Sequence, residues 1–73
     1  MALTKGSLAL AVGDTVLTYW GGVRGEILSV ETVLDNPFEP DGYVEALLAT
    51  PPTPQGATRA WAHWPLDGTV PVA

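Results

Sequence analysis

The stretch from Gly13 to Val30, Gly-Asp-Thr-Val-Leu-Thr-Tyr-Trp-Gly-Gly-Val-Arg-Gly-Glu-Ile-Leu-Ser-Val, constrains the fold more than any other part of the chain. Gly13-Asp14 supplies turn chemistry, and Thr15 to Trp20 is rich in the β-branched and aromatic residues that suit a pleated strand. Gly21-Gly22 then tolerates the positive φ of a tight turn, and Val23 to Val33 is again strand-prone. The spacing therefore predicts a hairpin, with strand one over Thr15 to Trp20 and strand two from Arg24 to about Leu34. Ile27 and Val30 lie three apart rather than two, so both face inward only if strand two bends or bulges between them.

The rest of the chain continues as strands and turns. Asp35 to Gly42 is dense in acids and turn formers, with two prolines that cannot donate to a sheet ladder, and reads as a loop. Tyr43 to Thr50 reads as strand three, Pro51 to Gly56 as a stiff connection, and Thr58 to Trp64 as strand four. Pro65-Leu66-Asp67-Gly68 suits a tight turn, and Thr69 to Val72 a short last strand that Pro71 marks as an edge. Residues 1–12 show neither a helix cap nor clean alternation and are expected to form an N-terminal arm. Residues 13–73 form the domain. No window carries a sustained helical period, so the fold class is all-β. Five short strands with a tight turn before the last resemble the arrangement of a small SH3-like barrel.

Seventy-three residues bury only roughly 60% of the surface the unfolded chain exposes, which leaves a thin core. Cysteine is absent and His63 is the one histidine, so neither disulfides nor an ordinary zinc site supplements that core. Hydrophobic residues nevertheless make up 47% of the chain and charged residues 15%. Apolar surface is therefore expected to be left over for a protein partner, most simply a second copy, so a homo-oligomer is expected. The net charge of −5, with Lys5, Arg24 and Arg59 isolated in sequence, argues against nucleic acid. Leu8 to Val12 is far short of a membrane span, and with only Lys5 before it no secretion signal is recognisable. The expected location is the cytoplasm, or the inside of a virion or other assembly.

Strand four is the candidate binding surface. Alternation places Ala60, Ala62 and Trp64 on one face and Arg59, Trp61 and His63 on the other. Tryptophan and arginine are favoured interface anchors, and Tyr19 and Trp20 at the end of strand one are candidates to extend this face into an aromatic groove. The acids Asp35, Glu39, Asp41 and Glu45 lack calcium-loop order, because Pro37, Phe38 and Pro40 interrupt it; no metal is expected. Ser7 and Ser29 lack a nucleophile-elbow context, and Gly21-Gly22-Val23-Arg24-Gly25 lacks the following helix that would hold a phosphate. No catalytic residue and no cofactor is assigned.

The pattern Gly13-Asp14-x-Val16, Gly21-Gly22, Gly25-x-Ile27, Pro40-Asp41-Gly42-Tyr43-x-Glu45 and Trp64-Pro65-Leu66 resembles the plasmid-borne type II dihydrofolate reductases. The resemblance implies a short SH3-like chain that assembles as a tetramer around one pore and uses NADPH. That family lines its pore with Val-Gln-Ile-Tyr directly before a proline; here Trp61-Ala62-His63-Trp64 precedes Pro65, and Thr18 falls where a ligand-attracting lysine would be. The resemblance thus carries over fold and self-association rather than reductase activity. The expected function is a non-enzymatic protein-binding or structural module that self-associates or joins a larger assembly, such as an accessory protein of a viral particle or mobile element. A divergent NADPH-using reductase tetramer is the alternative.

Overall fold

The computed structural model describes residues 3–18 and 23–72. Among these the protein is all-β apart from one 3₁₀ turn, with six strands: β1 (Leu3–Gly6), β2 (Thr15–Leu17), β3 (Arg24–Val33), β4 (Tyr43–Ala49), β5 (Arg59–Pro65) and β6 (Thr69–Val72). All pairings are antiparallel, in the order β1-β6-β2-β3-β4-β5, and β1 and β5 do not pair to close the sheet. No helix among the described residues is long and apolar enough to cross a membrane.

Strands β2 to β6 fall on the five expected runs, but β2 ends at Leu17, before Thr18, and Tyr19 and Trp20 of the expected strand lie outside the described residues. The expected Gly21-Gly22 turn lies outside the described residues. The bulge in strand two is present: Ile27 faces Leu48 but Ser29 faces Leu47, so Leu28 is the extra residue between them. This shift turns Val30 back toward the core after Ile27, which is fully buried. The core side of the sheet is set by alternation. Val44, Ala46 and Leu48 of β4 and Ala62 and Trp64 of β5 point inward, with Val16, Val70 and Leu10 packed among them. Gly25 faces Val16 across the β2–β3 ladder, and a Cβ there would lie 2.9 Å from Leu48 Cβ. The backbone of β3 thus packs directly on a core leucine, which only glycine permits.

Two expectations change. The first is the strand count: residues 1–12 carry a sixth strand, β1, and a 3₁₀ turn over Ser7–Ala9. β1 alternates poorly because Leu3, Thr4 and Gly6 are all exposed, and its order comes from backbone pairing with β6, which hydropathy does not signal. Past β1, Ser7 is buried and donates its N–H to Gly68 O at 2.9 Å. Its Oγ lies 2.6 Å from Pro65 O and 3.0 Å from Leu66 O, fastening the segment to the turn between β5 and β6.

The second concerns β6, which is not an edge, because β1 covers one side and Val72 meets Val16 of β2 on the other. Pro71 is tolerated for a geometric reason. Ser7 and Gly68 are hydrogen-bonded, and bonded and non-bonded pairs alternate along an antiparallel ladder, so Pro71 sits in a non-bonded pair with Thr4. Its missing N–H removes no β1–β6 bond.

Candidate functional site

The inward alternation of β4 and β5 fixes what their opposite side presents. Odd-numbered residues of both strands face outward, and the register arranges them in cross-strand rows that continue onto β3. One row is Ser29, Leu47 and Trp61. The next toward the Asp35–Gly42 loop is Glu31, Glu45 and His63, followed by Val33, Tyr43 and Pro65; on the other side lies Glu26, Ala49 and Arg59.

Arg59, Trp61 and His63 therefore share one face, as alternation predicts. Trp61 keeps 59% of its surface exposed, whereas Trp64, three residues on, is buried against the core. Leu47 directly opposite shields only part of the indole. Arg59 and His63 stand at opposite ends of the strand, roughly 13 Å apart for four residues of extended chain. Tyr19 and Trp20, the other two candidates, lie outside the described residues.

His63 Nε2 is 3.2 Å from Glu45 Oε1, and its ring lies 4.8 Å from that of Tyr43, tilted by 40°. Asn36 Nδ2 donates to Tyr43 Oη at 3.2 Å, which ties the loop before β4 to the same cluster. A shallow cavity of about 280 Å³ opens here between Asp41, Tyr43, His63 and Pro65. A second of about 320 Å³ lies at the far end of β5, where Arg59 and Ala60 meet Pro51, Pro52 and Val23. Among the described residues no three His, Cys, Asp or Glu side chains are grouped to hold a metal ion.

Tyr43, Glu45, Leu47 and Glu31 join this face although strand four alone does not reveal them. The signal for the first three was available, since the alternation of strand three puts them outward just as it does Trp61. Their alignment with His63 and Trp61 depends on register, which a single strand does not encode. The surface carries Leu47 and Trp61 beside Ser29 in its central row, with Glu31, Glu45 and His63 on one side and Glu26, Ala49 and Arg59 on the other.

No family model matches the chain, and neither a curated protein nor a solved structure shows significant similarity to it.

Proposed function

We propose that the chain is a small SH3-like barrel extended by β1, and that it works as a non-enzymatic protein-binding or structural module meeting its partner through the outward face of β3, β4 and β5. The order β6-β2-β3-β4-β5, a meander whose last strand returns beside the first, supports the barrel reading. The exposure of Trp61 carries the functional reading. Covering the exposed 59% of the indole would remove roughly 150 Å² from water, on the order of 3 kcal/mol in favour of association. The partner is a second copy of this chain or a component of a larger assembly in which it sits.

Sedimentation of the full chain across micromolar concentrations at physiological salt tests this reading. A concentration-dependent dimer or larger oligomer is expected, and Trp61→Ala should weaken it by about thirtyfold or more while the domain stays folded. A monomer at every concentration that retains no protein in a pull-down would contradict the reading. Turnover of NADPH with dihydrofolate would instead favour the reductase that the sequence resembles.

A further inference from the structure

The topology leaves β5 with one bare edge: among the described residues it pairs with β4 alone. Thr50 donates its N–H to Thr58 O at 2.9 Å just beyond the paired residues, and hydrogen-bonded and non-bonded pairs alternate from there. Ala60, Ala62 and Trp64 therefore direct their N–H and C=O toward β4. Arg59, Trp61 and His63 direct theirs away from the sheet. Both ends of this bare stretch are closed. Ala57 donates its N–H to Thr53 Oγ1 at 3.0 Å and accepts from Thr53 N–H at 2.9 Å. Pro65 has no N–H, and its carbonyl already accepts from Ser7 Oγ at 2.6 Å and from Gly68 N–H at 3.0 Å. What remains is three alternate residues centred on Trp61.

We propose that β5 of a second copy completes this edge, antiparallel about a two-fold axis at Trp61, so that two sheets join into one. The inference rests on the self-association read above and moves the contact from the outward face to its border, the edge of β5. In this register Trp61 pairs with Trp61 of the second copy, and Arg59 with His63 of the second copy, so each outward N–H and C=O finds a partner. Slips of two residues fail. One sets Arg59 against Pro65 of the second copy, whose carbonyl is occupied; the other sets His63 against Ala57 of the second copy, whose donor and acceptor are both taken by Thr53.

Side chains agree with the same register. The row Glu31, Glu45, His63 runs on into Arg59, Ala49 and Glu26 of the second copy, so Arg59 of each chain stands beside His63 of the other and in one row with Glu45, a further strand away. Within one chain Arg59 stands two rows from Glu45 and has no ion pair among the described residues. The central row becomes Leu47, Trp61, Trp61 and Leu47, which sets the two exposed indoles against each other. Each copy carries −5, and repulsion between charges more than about 10 Å apart is screened at ordinary salt.

The test uses the full chain in sedimentation equilibrium, with circular dichroism melting to confirm folding. The unmodified chain should form a dimer and no larger closed species through this edge. Trp61→Pro removes an N–H that points away from β4, so it should leave a folded monomer. Arg59→Glu should raise the dissociation constant at least tenfold, and adding Glu45→Arg should recover most of that loss. If Trp61→Pro fails to fold, the charge-swap pair decides. A dimer indifferent to both Trp61→Pro and Arg59→Glu would overturn the edge pairing while leaving self-association intact. Weakening by Arg59→Glu without recovery in the double variant would overturn the register. A chain that stays monomeric yet binds an extended segment of another protein at β5 would overturn the two-fold while keeping the broader binding role.

Discussion

Two tryptophans three residues apart do opposite work because a strand alternates its faces. Trp64 is buried in the core beside Val44 and Val70, and truncating it removes a large side chain from a small core. Trp64→Ala should destabilise the domain by about 3–5 kcal/mol, enough to unfold much of it at 25 °C. Trp61→Ala should change the stability of the monomer by less than about 1 kcal/mol, as for other exposed positions. Paired urea titrations measure both, and equal losses would mean that Trp61 also belongs to the core. Ser7 is the smaller case. Its buried hydroxyl serves two carbonyls of the β5–β6 turn, so Ser7→Ala should cost about 1–2 kcal/mol and lower the melting temperature by roughly 4–15 °C.

At the scale of elements, β1 is held by more than its ladder to β6. Lys5 Nζ donates to Asp14 Oδ2 at 2.9 Å, and the same oxygen accepts the Ala11 N–H at 2.9 Å, so one carboxylate ties β1 to the turn before β2. The hydrogen bond from Lys5, followed by that from Ala11, holds the Asp14 carboxyl below its ordinary range. A carboxylate whose folded value is depressed contributes stability that is full above the unfolded value and lost as pH falls through the folded one. Melting temperatures of the natural chain and of Asp14→Asn, which keeps an acceptor for Ala11, should therefore differ at neutral pH and converge in acid. A constant gap down to pH 2 would show that the charge is immaterial. Lys5 and Asp14 also illustrate what sequence conceals. The five runs from Thr15 onward were legible because each combines β-branched or aromatic residues with flanking turn formers, and the three-residue step from Ile27 to Val30 even exposed the bulge. β1 carries no such pattern, since its order comes from hydrogen bonds to β6 and from a side chain nine residues away. The outward face was half legible for the same reason: alternation along β5 gave Arg59, Trp61 and His63, but register alone sets Glu45 beside His63 and Leu47 beside Trp61.

For the whole molecule, the balance between a thin core and a large apolar complement turns on whether chains fold alone. Among the described residues the sheet order leaves only β1 and β5 as outer strands, and β5 combines an edge paired to no other described strand with an exposed indole. An edge of that kind in a monomer is an aggregation hazard, which proteins manage by charge, by proline or by pairing. Here proline and two local hydrogen-bond closures limit the β5 edge to Arg59–His63, so a two-fold partner can satisfy it and leave none of that edge for a third chain. If association contributes to stability, unfolding of a dimer into two unfolded chains depends on total concentration by mass action. With ordinary unfolding entropies for two chains of 73 residues, each tenfold increase in concentration should raise the melting temperature by roughly 4 °C. Calorimetry from about 5 to 500 μM should show that rise for the natural chain and for His63→Gln, and a flat line for Trp61→Pro. A flat line for the natural chain would mean that the fold stands without a partner, and its bare edge would then need another explanation in the monomer itself.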